Sequence, residues 1–517
     1  MGTIREKIIG NKRRILYILI LAIGIFSRIY RLASVPGGIN QDEAFSAREA
    51  WSLLVSGTDS FGYPWPMYLT TWGSGMSVWN SIMMIPFIAI FGRHMWAFRL
   101  PQAIVGIFTI VAIEKIVREI MNEDAALWAM FLLAVNPWHI MMSRWGLDCN
   151  MAPGFLIFGL LFFVLGIKNE RYYLLSALFY GISLYCYATI WTVVPFIVLL
   201  QAVYLLYVKK ARITKWTVGS GILLGVLAVP ALLFLLVNNG YIPEIVTQWM
   251  SIPKLVVMRG SEVSLEGAGD KIKNLLYILA GENDKYWWNS TEKFGLYYKV
   301  FLGFALIGLF YCVKSVYKSI RTRTYDGYVL IGIQFLTAFV LGALVYVNVN
   351  RINCIHISII VFMAVGLYRV QQLLRKDLKY ITQVTAIGFC ILFLAFEKYY
   401  FGDYAQIIGG MFQDGMEQAV CYAENLAGED ETIYVGAYID YPKVLAFSKL
   451  SPEEYRETVQ YTNYPALFLS VSQCGNYVFN TTVDGSDGIY IVELSDQNYG
   501  DMGYAVEQFG NMGVLYK

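Results

Sequence analysis

Eleven apolar stretches, each approaching the roughly 20 residues that span a bilayer, constrain this chain more than any other feature. They cover residues 14–33, 99–118, 125–143, 151–167, 172–189, 191–208, 216–237, 297–317, 328–347, 353–370 and 380–397, and a shorter one lies at 76–92. Lipid offers no partners for backbone N–H and C=O groups, so segments of this kind cross it as helices. The composition agrees, since 57% of residues are hydrophobic and 15% are charged, where soluble domains carry about 25% charge. The expected class is a mostly α, polytopic membrane protein of about 11–13 transmembrane helices.

Cytoplasmic loops collect Lys and Arg. The N-terminus with Arg5, Lys7, Lys12, Arg13 and Arg14, and the loops at 115–118, 168–171, 209–215, 314–323 and 369–379, all read as inside. These assignments agree with one another if 76–92 does not cross. The basic N-terminus runs into apolar sequence without a small-residue cleavage site, as in a signal anchor. The division expected is a membrane domain at 1–397, with outer loops at 34–98 and 238–296, and a small extracytoplasmic α/β domain at 398–517. In that last part, 402–426 reads as helix, and 432–438, 466–471, 476–479 and 488–494 alternate as strands do.

Composition excludes several functions. A net charge of +2 gives nucleic acid no basic surface. Seven cysteines without a CxxC pair and three histidines give no zinc or iron–sulfur pattern. No metal is expected as a required cofactor; a divalent ion is compatible with the chain but not indicated. Cys421 and Cys474 could pair if their domain is extracytoplasmic.

The candidate chemistry gathers in the outer segments. Asp42 and Glu43 follow the first apolar stretch directly. An Asp at a helix N-cap with Glu in the first turn would account for them structurally. A carboxylate pair beside a membrane also suits proton transfer, because one carboxylate raises the affinity of its neighbour for a proton. Asp42 is the candidate base and Glu43 its helper. Arg144 and Asp148 are spaced for an i, i+4 ion pair or for separate roles in a cavity. Arg351, between Asn350 and Asn353 with His356 one turn on, could snorkel or could grip a phosphate through its planar fork. Arg99 and the loop residue Arg259 carry the same alternatives. Tyr68 ends the aromatic segment 63–68, which suits an interfacial anchor or a sugar pocket. The candidate binding residues are therefore Arg99, Arg144, Asp148, Arg259, Arg351, Asn353, His356 and Tyr68.

Arg28-x-x-Arg31-Leu32, Pro36, Asp42-Glu43, Phe91-Gly92, Arg99-Leu100-Pro101, Asn136-Pro137-Trp138-His139, Ser143-Arg144-Trp145, Asp148, Asn150 and Asn350-Arg351-x-Asn353 occur in this order over roughly the first 400 residues. In that order and spacing the chain resembles the polytopic GT-C glycosyltransferases, in particular bacterial relatives of the protein O-mannosyltransferases and the aminoarabinose–lipid A transferases (families 39 and 83). The resemblance implies an inverting hexosyltransferase that moves a monosaccharide from a polyprenyl-phosphate carrier to a protein, lipid or cell-envelope acceptor. Asp42 would be the base, at the outer face of the cell membrane. Segment 63–68 lacks the lysine that the aminoarabinose transferases place beside paired prolines, so the resemblance implies no particular acceptor. The alternative class is a transporter or lipid-linked sugar flippase. Such proteins carry interrupted helices and polar groups at mid-bilayer, whereas the polar groups here gather at segment ends.

Overall fold

The computed structural model describes residues 2–258, 264–374, 380–428, 431–494 and 498–517, with backbone alone over 2–10. Among the described residues seven helices are long and apolar enough to span a membrane: Met95–Ile120, Asp148–Gly166, Ile190–Tyr207, Lys215–Asn238, Lys299–Thr322, Asn353–Leu374 and Ile381–Tyr400. Shorter apolar helices, Trp79–Phe91, Tyr172–Ser183 and Tyr328–Leu344, occupy three other expected segments. The segment at 125–143 is two helices, Glu123–Ala134 and Pro137–Met142, because Asn136 leaves helical geometry and caps the second by accepting a hydrogen bond from His139 N. Val384, Ile387, Ile391 and Leu394 recur at helical spacing and stay exposed, which is the pattern of a helix facing lipid. This is a multi-pass membrane protein.

The helices pack around one continuous apolar core, and glycines set the closest contact. A methyl group placed on Gly308 would meet Phe362 O, and one on Gly366 would meet Phe304 O, both at 1.9 Å. The helices Leu302–Thr322 and His356–Leu374 therefore touch backbone to backbone.

Short strands decorate the loops at one end of the helices. β1 (Tyr68–Leu69) pairs antiparallel with β2 (Met76–Ser77), and β3 (Ile245–Val246) with β4 (Ser251–Ile252). The remaining strands are β5 (Ile433–Gly436), β6 (Gln460–Tyr461), β7 (Val471–Cys474), β8 (Tyr477–Thr481), β9 (Ile489–Glu493), β10 (Ala505–Phe509) and β11 (Met512–Tyr516), which form one sheet in the order β10-β11-β9-β5-β8-β7-β6. β5 is parallel to both neighbours. The expected helix at 402–426 is two, Asp403–Phe412 and Met416–Leu426, broken where Gln413 and Gly415 turn into the left-handed region. The expected strand at 466–471 is loop until Val471, and the terminal hairpin β10–β11 carried no strand expectation. Cys421 and Cys474 are both free thiols, one exposed and one buried.

A second apolar core joins the helix Gln41–Ser56 and the hairpin β1–β2 to the C-terminal sheet. It includes Phe45, Leu53, Leu69, Val435, Tyr441, Leu445 and Tyr455. The C-terminal part is thereby packed directly onto the loop that carries the acidic pair.

Candidate functional site

Asp42 and Glu43 start the helix Gln41–Ser56, but neither is its cap. Asn40 caps it, its Oδ1 accepting from Asp42 N at 2.9 Å. The two carboxylates then diverge. Glu43 is fully buried and is gripped by Arg99, with Nε donating to Oε1 at 3.0 Å and Nη2 to Oε2 at 2.9 Å, while Gly146 N donates to Oε1 at 2.7 Å. Asp42 is half-buried at the protein surface and accepts from Trp72 Nε1 at 3.0 Å.

Arg99 spends its remaining donors on the carbonyls of Leu32, Pro36 and Gly38. Its guanidinium is fully buried and presents no donor outward, so it organises the loop before Asp42. Gly38 makes that loop feasible: its φ is +67°, and a Cβ there would lie 2.2 Å from Phe412 O. Arg144 is likewise buried. It donates to the carbonyls of Ser27, Tyr30, Arg31 and Val35 and lies over the rings of Phe401 and Tyr400. It makes no i, i+4 pair with Asp148. Glu43, Arg99 and Arg144 thus hold the backbone around the site.

Other candidates connect to Asp42 through a series of contacts and chain neighbours. Trp72 belongs to the turn between β1 and β2, and in that hairpin Tyr68 faces Ser77. Ser77 N donates to Asp148 Oδ2 at 3.3 Å, and Asp148 lies within electrostatic range of Asp42. Two residues on, Asn150 Oδ1 accepts from Asn353 Nδ2 at 2.9 Å, and Asn353 Oδ1 accepts from Trp138 Nε1 at 2.9 Å. Asn353 follows Arg351, whose carbonyl accepts from Thr189 Oγ1 at 3.5 Å. Trp191 then returns to Tyr68, with ring centroids 5.7 Å apart. Arg351 is half-buried, its guanidinium over Tyr346, and among the described candidate arginines it is the one not enclosed. A small recess opens beside Asn150 and Asn353, between Trp138, Trp145 and Trp288.

His356 lies outside this series. It is fully buried, hydrogen-bonded through Nδ1 to Tyr297 OH and packed on Trp138 with centroids 4.7 Å apart. Arg259 lies outside the described residues. The described part of its loop passes the β1–β2 turn, where Val257 N donates to Gly73 O at 3.0 Å. Among the described residues no group of three or more His, Cys, Asp or Glu side chains could hold a metal ion.

Sequence reasoning missed the partners that the C-terminal part brings. Gln41, next to Asp42, donates through Nε2 to Asp440 Oδ2. Phe468 stacks edge-on against Trp72, with centroids 5.3 Å apart, and Leu469 N donates to Trp72 O at 2.8 Å. These contacts span about 400 positions of chain, and no local pattern announces them. Gly73 and Gly75 beside Trp72 announce the turn alone.

A second buried acidic pair joins Glu49, further along the same helix, to Asp59 in the loop that follows it. Asp59 accepts from Thr70 Oγ1 at 2.8 Å and from the backbone of Phe61, Tyr63 and Thr70, whereas Glu49 accepts from Ser60 N at 2.9 Å. Burial raises the affinity of Asp59 for a proton, and these donors oppose that shift. Burial, and then repulsion from Asp59, push Glu49 up to about 8.

Residues 81–235 match the family described as dolichyl-phosphate-mannose-protein mannosyltransferase. No curated protein sequence matches the chain. Among solved structures, ArnT from Cupriavidus metallidurans in the apo state aligns over 96% of this chain and 97% of its own, at 12% identity and a TM-score of 0.57. The same protein bound to undecaprenyl phosphate aligns over the same shares at 12% identity and a TM-score of 0.56. The archaeal oligosaccharyltransferase AglB from Archaeoglobus fulgidus, in complex with an inhibitory peptide and a dolichol-phosphate, aligns over 84% of this chain and 64% of its own, at 13% identity and a TM-score of 0.47. The chain has the GT-C type of fold seen in ArnT, with the small sheet domain at its C-terminus.

Proposed function

We infer that this protein is an inverting glycosyltransferase that takes a monosaccharide from a polyprenyl-phosphate carrier and passes it to an acceptor hydroxyl, with Asp42 as the general base. The observation that carries this reading is the division of the acidic pair. Glu43 is consumed by Arg99, while Asp42 sits half-buried at the surface, accepts from the Trp72 indole and lies within electrostatic range of Asp148. The family match over 81–235 and the ArnT-like fold favour the same chemistry.

In the step proposed, the acceptor oxygen attacks the anomeric carbon as Asp42 accepts its proton. The bond from that carbon to the phosphate oxygen breaks, and its electron pair leaves with the lipid phosphate. Trp72 fixes the carboxylate so that its lone pair meets the incoming hydroxyl. Arg351 is the described cation suited to the charge that grows on the leaving phosphate. This mechanism calls on no metal. In this reading residues 1–397 hold the carrier and residues 398–517 lie with the site at the outer face, the N-terminus being cytoplasmic.

The test is Asp42→Asn in the purified protein supplied with labelled polyprenyl-phosphate sugar and cell-envelope acceptors. Loss of a general base costs about 10²–10⁴-fold in rate, so transfer should fall by that much while the protein keeps its melting temperature. Transfer at the wild-type rate would remove Asp42 from the role.

A further inference from the structure

We propose that the C-terminal domain supplies the acceptor half of this site, and that its loop 437–440, together with Phe468, binds a sugar ring of the acceptor. The inference rests on the glycosyl-transfer reading and adds the acceptor's chemical class.

The sheet topology is the first ground. In open sheets, ligands bind outside the carboxyl ends of parallel strands at the point where the strand order reverses. β5 is that point. The chain leaves β5 and returns on one side as β8, then crosses to the other side as β9. The two connections lie on opposite faces. The first carries the helix Tyr441–Leu445, packed with Ile433 and Val435. The second carries Val483, packed with Tyr434 and Tyr490. The crevice so defined lies at the loop 437–440 that follows β5.

The second ground is where that crevice points. Asp440 in this loop accepts from Gln41, the immediate neighbour of Asp42, and Tyr441 packs edge-on against Phe45, with centroids 5.6 Å apart. The loop after β5 is therefore joined to the start of the helix that carries the proposed base. On the other side of Asp42, Trp72 is covered by Phe468.

The third ground is chemistry. Tyr438 is 93% exposed and Phe468 is 53% exposed, and Tyr438 is held at φ +70°, a left-handed conformation that non-glycine residues seldom adopt. Its placement is fixed from behind, because Gln413 Nε2 donates to Tyr438 O at 3.1 Å and Lys443 Nζ donates to Gln413 Oε1 at 3.0 Å. Asp440 is 38% exposed at its side chain. Its Oδ1 accepts no hydrogen bond from the described residues. Aromatic faces offer a surface to the C–H face of a sugar ring, and a carboxylate oxygen accepts from its hydroxyls. An apolar acceptor would have no use for Asp440, whose Oδ2 also lies 4.0 Å from Lys443 Nζ.

The probes are methyl α-mannoside, methyl β-glucoside and methyl β-galactoside, applied to the full-length protein in lipid nanodiscs. Binding is read by saturation transfer from protein to the ring protons. Wild type should give transfer to at least one glycoside. Tyr438→Ala, Phe468→Ala and Asp440→Ala should each reduce it several-fold, and Tyr438→Phe, which keeps the ring, should retain it. Absence of transfer from wild type, or transfer unchanged in all three alanine variants, would overturn the proposal. A parallel measurement of labelled polyprenyl-phosphate sugar turnover with and without Asp42→Asn reports on the reaction itself, so failure of the acceptor site is distinguished from failure of the glycosyl-transfer reading.

Discussion

Adjacent residues of the same charge have opposite fates at the start of one helix, and the cause is geometric. Successive positions on a helix point about 100° apart, so Asp42 turns toward the loops and Glu43 toward the core. Burying Glu43 requires a full set of donors, which Arg99 and Gly146 N provide. This difference predicts opposite phenotypes. Glu43→Gln leaves the guanidinium of Arg99 buried without its counter-charge, which typically costs about 3–5 kcal/mol. Thermal unfolding in detergent should therefore shift down for Glu43→Gln and stay near wild type for Asp42→Asn. If Glu43→Gln keeps full stability but loses turnover, Glu43 acts in the chemistry and the assignment is reversed. The sequence presents the pair but cannot tell its members apart, because Arg99 and Gly146 reach Glu43 from 56 and 103 positions away.

At the level of elements, the spanning helices were legible because apolar length alone identifies them, and Ile381–Tyr400 lies within a few residues of the expected 380–397. The breaks were less so. Asn136-Pro137 divides an apolar run that hydropathy reads as continuous, since capping depends on one side chain, not on average composition. The C-terminal strands show the same limit: β5, β8 and β9 follow alternation, whereas the loop before β7 alternates without pairing. Packing between elements is the part that sequence leaves unread, and the glycine contacts illustrate it. Gly308 and Gly366 are unremarkable in an apolar sequence, yet each replaces a side chain that the facing backbone has no room for. Gly366→Ala should force the helices Leu302–Thr322 and His356–Leu374 apart, at about 1–3 kcal/mol for an overpacked contact. Gly221→Ala is the control, because nothing lies within 4 Å of a Cβ at that position. A melting temperature lowered by Gly366→Ala and unchanged or raised by Gly221→Ala is the expected pair of results, and equal values would show that the helices can separate at no cost.

For the molecule as a whole, the seam between the helix Gln41–Ser56 and the C-terminal sheet domain decides whether Asp42 and loop 437–440 stay in register. Glu49 is 1% exposed in that seam. It lines a small recess with Phe45, Arg48, Tyr441 and Tyr455. Burial, then repulsion from Asp59, push Glu49 up to about 8 from an ordinary 4.5, while adjacent Arg48 pulls in the other direction. Between those two values the folded protein holds a proton that the unfolded chain has released. Stability is therefore greatest below 4.5 for this group and falls as pH rises, until the loss is complete above about 8. Glu49→Gln keeps the neutral, hydrogen-bonding form at every pH and should flatten that slope. Raising the pH from 7 to 9 should lower the melting temperature of wild type and leave that of Glu49→Gln closer to constant. If wild type and Glu49→Gln melt in parallel across this range, Glu49 does not hold a proton in the seam, and the pH response of the joint must come from another group, such as the buried Asp59.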